Sequence, residues 1–84
     1  MYRRFIIQNP AGIHARPARI IAETAKRYPC EIYFMKNGIR FNAKSILNVM
    51  TLCAKFGDEV VVAAEGEQAD CAVEALGALL NSSH

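Results

Sequence analysis

The sequence has no tryptophan, two histidines and three cysteines among its 84 residues. Cys30, Cys53 and Cys71 are odd in number and widely spaced, and no Cys-x-x-Cys pair occurs. With only two histidines to help, they do not form a zinc site, and no other metal or cofactor is implied. They read as buried free thiols in a reducing compartment. The apolar run near the N-terminus is Phe5-Ile6-Ile7, too short for the core of a secretion signal. No segment approaches the roughly 20 apolar residues of a membrane helix, which excludes membrane insertion and points to the cytoplasm. Excess charge of one sign is also missing. Ten Lys and Arg face eight Asp and Glu, for a net charge of +2. The basic residues are scattered among acids rather than drawn into a stripe, which argues against a nucleic-acid partner. A phosphate-binding P-loop, a paired-carboxylate signature and internal repeats are absent as well. A chain this short makes one domain, residues 1–84, with a thin core and no deep substrate cavity, so it suits a carrier or binding module better than a self-sufficient enzyme.

What is present is concentrated in Gly12-Ile13-His14-Ala15-Arg16-Pro17-Ala18. Asn9-Pro10-Ala11-Gly12 is a loop by its turn chemistry, and it delivers His14 to the start of a helix. Proline lacks an N–H and has a fixed φ, so Pro17 suits the first helical turn, where N–H groups have no partner. Those free N–H groups and the positive end of the helix dipole make an anion site beside His14. Arg16 adds planar, permanently charged donors that match a phosphate. The same positive surroundings disfavour imidazolium, so His14 is expected to be neutral, hence nucleophilic, at pH 7. The simplest chemistry for the set is a histidine that carries a phosphoryl group. The plainer alternative, a capping or solvent-exposed histidine without a task, leaves the Gly-x-His-x-Arg-Pro context unexplained.

Periodicity predicts the remaining elements. Residues 2–8 alternate as a strand with Phe5 and Ile7 on its apolar face. Residues 16–27 form a helix with an apolar stripe of Ala18, Ile21, Ala22, Ala25 and Tyr28, and i,i+4 pairs Arg19–Glu23 and Glu23–Arg27 on the wet face. Pro29 ends it. Residues 31–36 and 39–43 form a hairpin around Asn37-Gly38, a type I′ signal that sets Phe41 opposite Phe34. Residues 59–65 form a strand apolar enough for a central place, and residues 69–80 a last helix that Gly77 weakens slightly. Apolar faces close if three helices cover one side of a four-stranded sheet in the order βαββαβα, an α+β open-faced sandwich.

The middle helix, residues 46–53, is unusual. Ser45 is its N-cap. Leu52, Val49, Cys53, Ile46, Met50 and Leu47 sweep an apolar arc of roughly 220°, about twice what packing on a sheet requires. With Val49, Leu52 and Cys53 inward, Ile46, Leu47 and Met50 are left over. Either a loop or another helix covers them, or they form a docking patch for partner proteins.

Together these residues resemble the HPr phosphocarriers of the bacterial phosphoenolpyruvate-dependent sugar phosphotransferase system. The likeness spans nearly the whole chain. It rests on the His14 motif, on the block Asn42-Ala43-Lys44-Ser45-Ile46-Leu47-Asn48-Val49-Met50-Thr51-Leu52, on Gly57-Asp58 and on Ala64-Glu65-Gly66. The resemblance implies an antiparallel sheet of strand order 1-4-2-3. It implies that phosphorylated enzyme I passes a phosphoryl group to His14, steadied by Arg16. It further implies that His14 hands the group to IIA domains of sugar permeases, and that Ile46, Leu47 and Met50 line the docking surface. The resemblance also implies that Ser45 matches a serine that an HPr kinase/phosphorylase phosphorylates as a regulatory mark in some bacteria. A monomer is expected. Two positions depart from the family pattern: Asn48 and Cys53 stand where glycine is common. A second reading is an HPr-like regulatory protein that acts by phosphostate-dependent binding. The presence of His14 together with Arg16 favours the carrier.

Overall fold

Alternation along the strands sorts their side chains onto two faces, and one of those faces carries the core. The computed structural model describes residues 1–13 and 15–81. The element order is β1 (Tyr2–Ile6), α1 (Ala15–Ala25), β2 (Glu31–Lys36), β3 (Ile39–Asn42), α2 (Ile46–Thr51), β4 (Glu59–Glu65) and α3 (Ala69–Leu80). The sheet is antiparallel throughout, in the order β1-β4-β2-β3. Phe5, Ile32, Phe34, Val60, Val62 and Ala64 enter one cluster with Ala18, Ile21, Ala25, Val49, Leu52, Ala72, Val73, Leu76 and Leu80 of the helical layer. Burial of each large aliphatic or aromatic side chain contributes roughly 1.5–3 kcal/mol. β4, the most apolar strand, is central, bonded to both β1 and β2.

The hairpin is the predicted one. Asn37 and Gly38 both have positive φ, 54° and 78°, and Phe34 pairs with Phe41. The strand and helix ends differ by a residue or two, each for a local reason. β1 stops at Ile6 because Ile7, still buried, exchanges hydrogen bonds with a turn: its N–H donates to Asp58 and its carbonyl accepts from Gly57, both at 2.9 Å. α1 stops at Ala25 because the Arg27 and Tyr28 N–H groups turn to carbonyls three residues back. The Arg19–Glu23 pair forms at 3.3 Å. The expected Glu23–Arg27 pair is not among the ion pairs of the described residues, since Arg27 lies past the helix end.

Of the three cysteines expected to be buried, only Cys30 is; Cys53 and Cys71 are exposed. Cys71 lies on α3 away from the face that buries Ala72, Val73, Leu76 and Leu80. Gly77 does more than weaken α3. It is itself buried, and a Cβ at that position would overlap the Phe5 ring. The glycine is the hollow into which the β1 aromatic packs. Gly77→Ala should therefore destabilise the protein by roughly 1–2 kcal/mol in denaturant unfolding, overpacking outweighing the gain in helix propensity. A stability equal to or above that of the wild type would show that the ring moves aside freely.

Candidate functional site

The segment leading to position 14 is fixed from both sides. Within it, the Asn9 carboxamide oxygen accepts the Ala11 N–H at 3.0 Å and the Asn9 carbonyl accepts the Gly12 N–H at 2.8 Å. Gly12 has φ +70° and is buried. A Cβ there would lie 2.5 Å from the Ala54 carbonyl oxygen, closer than any real contact. Glycine is thus required twice, for the left-handed backbone and for the close approach. One residue on, the Ile13 N–H donates to that same Ala54 carbonyl at 2.9 Å. His14 lies outside the described residues, as do Ser82, Ser83 and His84. α1 then begins at Ala15, with Arg16 exposed and Pro17 in the first turn. No acidic residue occupies that turn to offset the dipole.

Across from this segment stands α2, packed against α1. Ser45 caps it: φ is −106°, ψ is 118°, and its Oγ accepts the Asn48 backbone N–H at 3.2 Å and the Asn48 side-chain amide at 3.3 Å. Asn48 also accepts the Asn42 N–H at 3.4 Å, so it bridges the cap to the end of β3. Val49 and Leu52 are buried as expected, but Cys53 is not. The helix ends at Thr51, and Cys53 turns outward with φ 52°. A left-handed backbone costs an L-residue roughly 1–2 kcal/mol. Of the leftover apolar residues, Leu47 is 72% and Met50 40% exposed, while Ile46 is half-buried. Among the described residues Leu47 is largely open, while Met50 and Ile46 are only partly sheltered.

Three residues that hold this region have roles that the sequence does not show. Lys36 reads in the sequence as a strand-end charge. Its Nζ donates to the carbonyls of Leu52 at 3.3 Å and Cys53 at 3.0 Å and lies 3.2 Å from an Asp58 carboxylate oxygen. Asp58 enters the sequence reading only within the Gly57-Asp58 pair, with no role of its own. Its carboxylate accepts the Lys55 N–H at 2.9 Å. That backbone bond, followed by the Lys36 ammonium, holds the Asp58 carboxyl below its ordinary pKa of 3.8. Asn9, the third, shows only turn chemistry. Lys44 reaches back to the Tyr28 carbonyl at 2.9 Å and so ties the segment before α2 to the end of α1. No group of three or more potential metal ligands occurs among the described residues.

The site therefore joins an anion-receptive helix start, a rigid glycine turn ahead of it and an exposed apolar helix face beside it. A model of the family described as "PTS HPr component phosphorylation site" matches residues 1–82. The chain is 39% identical over 71 residues to the phosphocarrier protein HPr of Mycoplasma capricolum, covering 84% of this chain and 80% of that one. It is 39% identical over 67 residues to the HPr-like protein Crh of Bacillus subtilis, covering 80% and 79%. Its structure superposes on the crystal structure of HPr from Thermoanaerobacter tengcongensis with a TM-score of 0.91 at 35% identity, over 98% of this chain and 92% of that one. The geometry of the glycine turn makes a direct prediction. Gly12→Ala should cost at least about 2 kcal/mol of stability, since positive-φ strain and a clash with backbone act together. Thermal unfolding indistinguishable from that of the wild type would show that the Ala54 contact is not tight.

Proposed function

The chain belongs to the HPr family of the phosphotransferase system, and from that membership we propose that His14 is the residue that takes up and gives up its phosphoryl group. A phosphocarrier needs a nucleophile that a large partner can reach and surroundings that stabilise a dianion without burying it. The observation that carries the assignment is the clamped Gly12–Ile13 turn, which runs directly into position 14 at an uncompensated helix start with Arg16 in its first turn. In the transfer step a neutral imidazole nitrogen of His14 forms a bond to phosphorus as the bond to the donor breaks. Helix N–H groups and Arg16 then balance the charge on the phosphoryl oxygens. Reversal of the same step on a different acceptor completes the relay. Nothing here turns over without a partner, so the protein is a transferase component rather than a stand-alone enzyme.

The partners are those that family membership implies. Phosphorylated enzyme I is the donor, a IIA domain of a sugar permease the acceptor, and Ile46, Leu47 and Met50 the surface on which both dock. Leu47 and Met50 are apolar, exposed and on the helix packed against α1, which is what such a surface requires. We place the protein in the cytoplasm as a monomeric single domain of residues 1–84. In keeping with that, no helix among the described residues is long and apolar enough to cross a membrane. Ser45 is the regulatory position for an HPr kinase/phosphorylase. A phosphate there would set a dianion beside Ile46 and Leu47 and oppose docking.

Phosphorylation from phosphoenolpyruvate through enzyme I, read by intact mass, tests the assignment. One phosphoryl group should appear, disappear on mild acid treatment and be absent in His14→Ala. If a folded sample takes no label from several enzymes I, the regulatory reading takes the place of the carrier. Ser45→Asp should slow transfer from enzyme I about tenfold or more by placing charge in the docking surface; an unchanged rate would remove Ser45 from regulation.

A further inference from the structure

Among the described residues Lys36 is an unusually engaged ion, and transfer chemistry alone gives it no role. Its side chain is only 18% exposed. Its ammonium has three donors and meets three acceptors: the Leu52 carbonyl, the Cys53 carbonyl and the Asp58 carboxylate. The first two lie where α2 has ended and the backbone turns left-handed at Cys53. That conformation is strained for an L-residue, and carbonyls past a helix end are left without amide partners. Lys36 supplies the missing partner. It does so from the last residue of β2, which pairs with Ile39 of β3 at the hairpin turn. Asp58 closes the other end of the loop, with its carboxylate on the Lys55 N–H and its carbonyl on the Ile7 N–H.

The next peptide carbonyl after Cys53 is that of Ala54, which receives the Ile13 N–H and against which Gly12 is pressed. We propose that Lys36 is a positioning residue for phosphoryl transfer. It holds the left-handed turn at Cys53 and, through the Ala54 carbonyl, fixes the Gly12–Ile13 segment ahead of His14. The inference rests on His14 being the phosphoryl acceptor. It also accounts for how a cysteine serves at a turn that glycine would fill without strain. The clamp replaces the conformational freedom that glycine would have brought. Misplacement of a nucleophile by a fraction of an ångström slows transfer without altering how the partner binds.

The test compares Lys36→Met, Lys36→Arg and Lys36→Met combined with Cys53→Gly. Amide hydrogen exchange is read by NMR at Ile13 and, as a core reference, at Val62. Transfer kinetics with enzyme I are measured alongside. Lys36→Met should speed exchange at Ile13 about tenfold while leaving Val62 nearly unchanged, the mark of local opening rather than global loss of stability. It should lower kcat about tenfold with KM for this protein as substrate nearly unchanged. Lys36→Arg should restore most of both. In the Cys53→Gly background the penalty should fall to about threefold or less, because glycine adopts the turn without help. Should Lys36→Met fail to fold, Asp58→Asn gives the same pattern at smaller amplitude. Unchanged exchange at Ile13, exchange that rises only in step with Val62, an unchanged kcat, or a penalty undiminished by Cys53→Gly would each overturn the proposal. A wild type that accepts no phosphoryl group would sink the His14 assignment instead, while the exchange arm would still decide whether Lys36 holds the turn.

Discussion

The contact on which the functional end of this molecule depends is between backbone and backbone: Gly12 and Ile13 seated on the Ala54 carbonyl. A hydrogen bond of this kind adds only about 1 kcal/mol of net stability. Its value is in direction. It fixes where the chain enters α1, and with that the placement of whatever follows Ile13. Everything nearby is arranged to keep the Ala54 carbonyl still. The residues before it turn through Cys53 under the Lys36 ammonium, and those after it are closed by Asp58 onto Lys55 and Ile7. The sheet thereby orients a loop, and the loop orients another loop. Loops carry function well when a rigid scaffold positions them.

The rest of the fold serves accessibility. A small domain has little apolar surface to commit, and here the core takes one side of α2 only, through Val49 and Leu52. Leu47 and Met50 are left exposed, a cost in solubility that the proposed docking role would explain. A carrier with a deep pocket would protect its phosphoryl group but deny it to the next enzyme. On the proposed reading the exposed start of α1 meets both needs, because backbone N–H groups and a dipole stabilise a dianion without enclosing it.

Much of this was legible in the sequence because the relevant physics is local. Asn37-Gly38 dictates a two-residue hairpin whatever surrounds it, so the Phe34–Phe41 pairing followed. The Ser45 cap and the period of α3 are likewise short-range. What was not legible depends on partners distant in the chain. Cys53 belongs to an apolar arc by periodicity, yet the helix stops before reaching it, and its left-handed turn is held by a lysine from β2. Gly77 looks like a weak point in α3 until the Phe5 ring from the other end of the chain is seen to fill its hollow. Lys36 itself was one charge among several scattered ones, and only the tertiary structure gives it three acceptors. The Gly12–Ala18 motif lies in consecutive residues, whereas the contacts that hold the turn ahead of position 14 come from β2, the loop after α2 and Asn9.

A carrier differs from a protein that is merely marked by phosphate in what happens to the group next. The most direct measurement is therefore a single-turnover discharge. The phosphorylated chain is freed of enzyme I and mixed with a IIA domain, and phosphate is followed on both proteins and in solution. Loss from the chain should match gain on the IIA domain, with no matching release of inorganic phosphate, and should run backwards when phosphorylated IIA is mixed with unlabelled chain. A phosphoryl group that stays in place across IIA domains of several sugar specificities, or leaves only as inorganic phosphate, would contradict the carrier role.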